Sequence, residues 1–188
     1  IIYYNKYFYK QLRQFDWIIT VSEFSKNEII QHLHFDKNRI SVIYNGLDHE
    51  VYKIYDSNIL HETKIKFQLE DSFFLFVGSI EPRKNLLKLI QAYGLLPLEI
   101  KDKYPLILVG FKGWENKEIM KEIAKEKNHI RYLGYLSEEE LAHVYNLASL
   151  FIYPSLYEGF GIPPLESMAC GTPVIVSNVS SLPEICKD

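Results

Sequence analysis

Short apolar runs alternate with amphipathic helical patterns along most of this 188-residue chain, and that alternation limits its fold more than any other feature. From residue 71 onward, the apolar runs of strand length are 73–77, 106–109, 130–133, 150–153 and 174–176. The segments between them carry helical periods, as in 85–96, where the apolar residues fall on one face. Strands and helices in this order predict an α/β fold, a Rossmann-like doubly wound parallel sheet that binds ligands at the carboxyl ends of its strands.

Three more helices are predicted in this part of the chain, and two of them have recognisable starts. Residues 115–127 show a helical period, and Ser137-Glu138-Glu139-Glu140 is a capping box, in which the first and last side chains each accept a backbone N–H from the other residue. The box predicts a helix that runs to residue 146. A further helix is predicted to include 165–169, because a proline pair precedes it where a first helical turn tolerates proline.

The first half of the chain contains a smaller strand–helix–strand unit. Residues 17–21 and 40–43 have the composition of strands, and Ser25-Lys26-Asn27-Glu28 predicts a capping box for a helix over 27–34. An aromatic-rich helix is predicted over 1–13. Its aromatic face suits packing inside the protein, with contact to a membrane surface as the alternative.

No clear period is present in residues 49–70, which also contain several polar breaks. We interpret this segment as a linker with a short helix near 61–67. The sequence therefore predicts three parts: residues 1–48, the linker 49–70, and a ligand-binding domain over 71–188.

The segment from Glu158 to Glu166 predicts a ligand site between a strand and a helix. Gly159-Phe160-Gly161 allows a ligand to approach the main chain, and the backbone N–H groups at the helix start point outward. Both glutamates are expected to face one ligand. Carboxylates accept hydrogen bonds from sugar hydroxyls but are poor ligands for phosphate, so we expect a sugar or a ribose here, with any phosphate bound by the amides.

A second predicted site follows the strand at 73–77. Gly78-Ser79-Ile80-Glu81-Pro82-Arg83-Lys84-Asn85 combines a glycine turn, a basic pair and a helix start, which together suit a diphosphate. Arg83 offers a fork of donors and Lys84 a point charge. A solvated basic pair is the alternative, but positive charge beside a helix N-terminus is mildly unfavourable unless an anion joins it.

Composition excludes several other classes of function. A formal net charge of −3 argues against a nucleic-acid-binding surface, and 47% hydrophobic residues are enough for a buried core. The two cysteines form no disulfide framework, and neither they nor the six histidines have metal-ligand spacing. No apolar run reaches the length of a membrane span, and no signal peptide opens the chain. We expect a cytoplasmic protein, with peripheral attachment to a membrane left open.

Several motifs resemble those of the retaining GT-B glycosyltransferases of group 1, which use nucleotide sugars. The resemblance lies in Tyr153-Pro154-Ser155, in Glu158-Gly159-Phe160-Gly161 with Glu166, and in Ala169-Cys170-Gly171-Thr172-Pro173-Val174. Val21-Ser22 and Asn45-Gly46-Leu47-Asp48 are similar to the end of that family's acceptor-side domain. By this resemblance the chain is the C-terminal half of a GT-B two-domain glycosyltransferase, incomplete at both ends.

The resemblance also implies roles for individual residues. Lys84 would bind the donor diphosphate and neutralise the leaving nucleotide, Glu158 would contact the donor sugar, and Glu166 would accept hydrogen bonds from the ribose. Many members have arginine directly after the glycine where this chain has Ser79, so Arg83 is expected to supply that charge. The catalytic set is then Lys84, Arg83 and Glu158, and the donor-binding set is Gly78, Ser79, Lys84, Leu133, Gly134, Glu158, Gly159, Phe160, Gly161, Ile162 and Glu166.

The implied activity is transfer of a hexose from a nucleotide-diphospho-sugar to a glycan or lipid-linked acceptor, with retention of configuration and without a metal or cofactor. Glu81-Pro82-Arg83-Lys84-Asn85 and Gly110-Phe111-Lys112-Gly113-Trp114 resemble bacterial mannosyltransferases of surface-polysaccharide assembly, which favours GDP-mannose. UDP-glucose, UDP-galactose and UDP-N-acetylglucosamine remain open. Trp114 is expected to be a packed loop aromatic. The alternative function is a non-catalytic nucleotide-sugar-binding fragment, whereas an NAD site lacks its Gly-x-Gly-x-x-Gly motif.

Overall fold

A computed structural model describes Gln11 and residues 14–187, which form two parallel sheets with helices around them. The smaller sheet pairs β1 (Ile18–Thr20) with β2 (Ile40–Val42). The larger sheet contains β3 (Phe74–Val77), β4 (Leu106–Val109), β5 (Ile130–Gly134), β6 (Leu150–Tyr153) and β7 (Val174–Val176). The aromatic helix predicted for 1–13 lies, apart from Gln11, outside the described residues.

The five strands of the larger sheet are all parallel and lie in the order β5–β4–β3–β6–β7. The chain adds β4 and β5 on one side of β3, then crosses back and adds β6 and β7 on the other side. The prediction of a doubly wound, Rossmann-like sheet is therefore confirmed. In such a sheet the point where the chain changes direction leaves a crevice at the carboxyl ends of the two central strands.

Eight α-helices cover the described part of the chain. They are α1 (Glu23–Leu33), α2 (Ser57–Lys66), α3 (Leu86–Gly94), α4 (Leu98–Lys103), α5 (Lys117–Lys125), α6 (Glu138–Leu147), α7 (Ile162–Ala169) and α8 (Leu182–Ile185). The capping box at the start of α6 is present as predicted, with Ser137 and Glu140 each accepting a backbone N–H. Helix α2 starts earlier than expected and packs on α6, where the Thr63 hydroxyl lies 2.8 Å from Nδ1 of His143.

The predicted capping box at Ser25 is wrong. Helix α1 begins at Glu23, and Ser22 is its N-cap, with its hydroxyl accepting the N–H of Ser25. The pattern misled because Ser25 and Glu28 have the correct spacing, while Ser22 directly follows the apolar strand predicted over 17–21 without a connecting turn. The hydroxyl of Ser25 is left to make a different contact, with Gly159.

The main core lies between the larger sheet and its helices. The side chains of Phe73, Leu75, Phe76, Leu106 and Phe151 are fully buried there. Leu33, Phe35 and Ile40 form a second, smaller cluster beside the two-stranded sheet. Each sheet therefore has its own core, and the carboxyl ends of β3 and β6 are held by the larger one.

Two glycines bring the ends of β3 and β4 into direct backbone contact. Gly110 has a φ of +138°, and a Cβ atom at this position would lie 2.1 Å from the carbonyl oxygen of Gly78. Real atoms do not approach this closely. The Gly78 carbonyl belongs to the backbone, so it cannot rotate away as the end of a flexible side chain could. The turn after β3, which precedes the basic pair, depends on the missing side chain of Gly110.

We expect Gly110→Ala to destabilise the fold by about 3 kcal/mol, from backbone strain together with displacement of the Gly78 turn. For a protein of this size the loss corresponds to a melting temperature lower by about 6–12 °C, measurable by calorimetry. Gly46→Ala is the matched control, because a Cβ there would meet nothing within 4 Å. Equal melting temperatures for the two variants would contradict the close approach.

Candidate functional site

The loops after β3 and β6 meet at the crevice in the centre of the larger sheet. The backbone N–H of Leu156, in the β6 loop, donates to the carbonyl of Arg83 in the β3 loop at 2.9 Å. The guanidinium of Arg83 donates to the carbonyl of Tyr157, also at 2.9 Å. These bonds hold the two loops together, so the predicted basic pair and the predicted Glu158 segment form one site.

Lys84, Glu158 and Tyr153 form a closed triangle of hydrogen bonds at this site. The Nζ atom of Lys84 lies 2.7 Å from Oε1 of Glu158 and 2.6 Å from the hydroxyl of Tyr153. That hydroxyl in turn donates to the same carboxylate oxygen at 3.0 Å. All three side chains are buried. The lysine stem passes over Gly78, where a Cβ atom would lie 3.6 Å from Lys84 Cε.

Arg83 adds a second cation and brings a second carboxylate with it. One of its terminal nitrogens lies 2.9 Å from Oε2 of Glu158, and the other lies 2.9 Å from Oε1 of Glu81. Two cations and two carboxylates therefore balance one another in the site. The basic pair does not need the external anion that the sequence suggested, because Glu158 and Glu81 already serve as its counter-ions.

The pKa values follow from this mutual pairing and from burial. Burial lowers the pKa of Lys84 below that of an ordinary lysine, although Glu158 opposes the shift. Burial by itself would raise the pKa of Glu158, but hydrogen bonding and charge attraction from Lys84, with help from Ser155 and Arg83, bring it below the usual value. Glu158 is thus an ionised acceptor at neutral pH.

The basic pair does not lie at the start of an α-helix, as the sequence suggested. Arg83 and Lys84 belong to a 3₁₀ turn over Pro82–Lys84, and α3 begins only at Leu86. Asn85 separates the two elements in a left-handed conformation with a φ of 57°. The turn directs Lys84 inward beneath the β6 loop.

Glu166 lies in a different environment from Glu158. It is in the second turn of α7, half-buried, and its Oε2 atom accepts a hydrogen bond of 3.0 Å from the hydroxyl of Tyr145. Burial raises the pKa of Glu166, while hydrogen bonds from Tyr145 and Tyr52 oppose the rise. The two glutamates therefore have different partners, the cations of Lys84 and Arg83 for Glu158 and the phenol of Tyr145 for Glu166.

The glycine loop between them presents unpaired amides. Within the described residues, the N–H groups of Phe160, Gly161 and Ile162 have no hydrogen-bond acceptor. Gly161 has a φ of 122°, and a Cβ atom there would lie 2.9 Å from a methyl carbon of Leu182. Amides without partners at the start of a helix favour an anion or a polar ligand.

Leu133 and Gly134, predicted to contact the donor through their main chain, lie at an irregularity of β5. Leu108 pairs with Tyr132 and Val109 with Gly134, so Leu133 is left without a partner strand residue. Bulges of this kind redirect the chain next to ligand sites. Ser79, the last member of the predicted set, is buried directly after Gly78.

The comparisons with known proteins identify the family. The family Glycosyl transferases group 1 matches residues 59–188, well over half of the chain, and Glycosyltransferase Family 4 matches residues 2–51. The chain belongs to the group 1 glycosyltransferases.

Among its relatives, O-antigen chain mannosyltransferase B of Escherichia coli is 41% identical over 189 residues, which cover 99% of this chain and 49% of that protein. The serotype-specific mannosyltransferase WbdA of the same organism is 35% identical and is covered over 23% of its length. The chain thus spans half or less of these relatives.

Solved structures give the same fold for this group 1 chain. Anabaena Alr3699/HepE, in complex with UDP and glucose, superposes with a TM-score of 0.85 at 22% identity, over 98% of this chain and 50% of that one. A glycosyltransferase of Rickettsia africae has a TM-score of 0.80 at 20% identity, over 99% of this chain and 50% of that one. The GT-B likeness predicted from the motifs is confirmed at the level of fold.

Some residues of the candidate site could not be assigned from the sequence. Tyr153 was part of a quoted motif but had no role, and nothing in the sequence paired Tyr52 or Tyr145 with Glu166. Contacts across tens of residues leave no local period to detect. Trp114, expected to be packed, is 57% exposed, so that expectation is wrong.

Two features are absent from the described part of the chain. None of their helices combines the length and the apolar character that a membrane crossing requires. Likewise, within this part of the chain no group of three or more histidine, cysteine, aspartate or glutamate side chains is arranged to hold a metal ion.

Proposed function

We propose that this chain binds the nucleotide-diphospho-sugar donor of a group 1 glycosyltransferase, and that the protein transfers a hexose to a glycan or lipid-linked acceptor of a cell-surface polysaccharide. The observation that carries the proposal is the cluster formed by buried Lys84, buried Glu158 and half-exposed Arg83 at the crevice between β3 and β6. Two cations beside unpaired amides suit a diphosphate, and carboxylates suit the hydroxyls of a sugar and a ribose.

In this proposal the diphosphate replaces Glu158 as the partner of Lys84 and Arg83. The amides of Phe160, Gly161 and Ile162 add neutral donors at the start of α7. Glu158, released from the cations, accepts from the donor sugar while Tyr153 keeps its hydroxyl on the carboxylate. Glu166 accepts from the ribose with the oxygen that Tyr145 leaves free. Leu133 and Gly134 contact the base through the main chain, with Gly78 and Ser79 lining the turn beneath the diphosphate.

The proposed reaction breaks the bond between the anomeric carbon and the oxygen of the β-phosphate. The acceptor oxygen forms the new bond on the same face, and its proton passes to the departing phosphate oxygen, giving a glycoside and a nucleoside diphosphate. Lys84 and Arg83 stabilise the charge that develops on the leaving group, which is the role a metal ion would otherwise fill.

GDP-mannose is the proposed donor, because the two Escherichia coli relatives described above, which match nearly the whole chain, carry the name mannosyltransferase. The experiment that tests donor and stereochemistry uses the protein at the full length of these relatives. It is incubated with GDP-mannose or UDP-glucose and a lipid-linked glycan, and the anomeric configuration of the product is determined by NMR. An α-linked mannose from the α-configured donor is expected; a β-linked product would contradict retention, and transfer only from UDP-glucose would contradict the mannose assignment.

We expect Glu166→Gln to weaken binding of GDP about 10-fold while leaving the affinity for 2′,3′-dideoxy-GDP unchanged, since only the first ligand offers ribose hydroxyls to the carboxylate. The ribose-dependent part of the affinity should also fall as the pH drops through the raised pKa of Glu166, because the protonated group is a poorer acceptor. Calorimetric titration measures both effects. An equal loss with the dideoxy ligand would remove the ribose role.

A further inference from the structure

Four serine side chains hold the carbonyl groups and one amide of the segment Glu158–Phe160, which we call the donor loop. Ser181 donates to the carbonyls of Glu158 and Phe160, at 2.9 and 2.6 Å, sharing its single proton between them. Ser180 accepts the N–H of Glu158 at 3.0 Å. Ser22 and Ser25 donate to the carbonyl of Gly159, at 2.6 and 3.1 Å.

The planarity of the peptide bond turns these contacts into a constraint on the amides. In a trans peptide the C=O and the following N–H point in opposite directions. Since serines hold the carbonyls of Glu158, Gly159 and Phe160, each N–H that follows, of Gly159, Phe160 and Gly161, must point away from the serine bound to the carbonyl of its own peptide. Within the described residues the last two have no acceptor, which leaves them available to a ligand.

Two of the four serines come from a distant part of the chain. Ser22 and Ser25 lie at the start of α1, beside the two-stranded sheet, more than 130 residues from Gly159 in sequence. The contact is reciprocal, since the carboxylate of Glu184 accepts the N–H groups of Glu23 and Phe24 at 2.8 and 3.2 Å. A carboxylate at the N-terminus of a helix is electrostatically favourable.

From this arrangement we infer that Ser22 and Ser25 are positioning residues of the donor site. They act through the carbonyl of Gly159 and set the direction of the Phe160 amide, so the conformation of the donor loop depends on the first sheet being docked against it. Glu184 keeps the start of α1 in place for this contact. The inference rests on the proposed function for its binding measurement but not for its structural one.

The variants separate positioning from helix capping. Ser22→Ala with Ser25→Ala removes both donors to Gly159 but also the N-cap of α1. Ser22→Thr restores a cap and a hydroxyl donor. Ser137→Ala is the matched control, because it removes the equivalent N-cap of α6. Hydrogen exchange of residues 157–163 is measured in each, together with calorimetric titration of GDP-mannose and of GMP.

We expect exchange in 157–163 to accelerate about 10-fold in the double alanine variant, because the loop opens more readily, and to stay unchanged in Ser137→Ala. In the double variant the affinity for GDP-mannose should fall about 10-fold, while the affinity for GMP is retained. In Ser22→Thr the exchange rate and both affinities should be close to those of the parent. Equal exchange in the double variant and in Ser137→Ala would overturn the positioning role. If exchange accelerates in the double alanine variant but the parent binds neither GDP-mannose nor GMP, the positioning role of the two serines stands and the donor site is contradicted instead.

Discussion

Lys84→Met should weaken binding of GDP or UDP about 30-fold while changing folding far less, because it removes the buried cation that faces the diphosphate. A charge-assisted hydrogen bond of this kind contributes about 2 kcal/mol. The methionine fills the same space over Gly78, and Arg83 remains 2.9 Å from Glu158, so that carboxylate keeps a counter-ion. Calorimetric titration gives the affinity and a thermal melt gives the stability.

Lys88→Met is the matched control for this variant, since Lys88 lies on the exposed surface of α3 one turn further along. Its affinity should equal that of the parent. In the parent, affinity should also decline at alkaline pH sooner than an ordinary lysine would allow, because burial lowers the pKa of Lys84 and the neutral amine holds no charge for the phosphate. An unchanged affinity in Lys84→Met would refute the assignment of this residue.

Glu158→Gln should change binding and turnover in opposite directions. The substitution removes the counter-ion that pairs with Lys84 and Arg83 and competes with the diphosphate for them, so the affinity for a nucleoside diphosphate should rise about 3-fold. Transfer by the full-length enzyme should fall about 100-fold, because the carboxylate that positions the donor sugar is lost. Titration of GDP and a transfer assay with GDP-mannose measure the two effects.

Glu139→Gln, at an exposed position in the first turn of α6, makes the same change in net charge without touching the site. Binding and turnover should both match the parent there. If Glu158→Gln lost nucleotide affinity in parallel with its turnover, Glu158 would be needed to build the site, and the competition between the carboxylate and the diphosphate would not exist.

Most of the larger sheet could be predicted from the sequence because buried strands leave apolar runs. Leu106–Val109 and Leu150–Tyr153 were bounded correctly, since both are continuous hydrophobic segments between polar turns. Helix α4 was missed, because Leu98–Lys103 is only six residues long and is too short to show a period.

The residues of the candidate site could be named from motifs, but their contacts could not. Local spacing indicated Lys84 and Glu158 separately, while their pairing depends on β3 and β6 being neighbours in the sheet. The same limit explains why Ser25 was assigned to a capping box. Its spacing to Glu28 is correct, yet its hydroxyl contacts Gly159, which is 134 residues away in sequence.

The central claim is that the crevice between β3 and β6 binds a nucleotide sugar. A thermal-shift titration of this chain with GDP, UDP, GDP-mannose and UDP-glucose, without added metal, tests it, with Lys84→Met measured in parallel. A ligand at 100 times its dissociation constant stabilises the fold by about 2.7 kcal/mol. We predict that GDP and GDP-mannose raise the melting temperature of the parent, and that Lys84→Met at the same ligand concentration gains only about a third of that stabilisation. A folded parent that none of the four ligands stabilises would contradict the account.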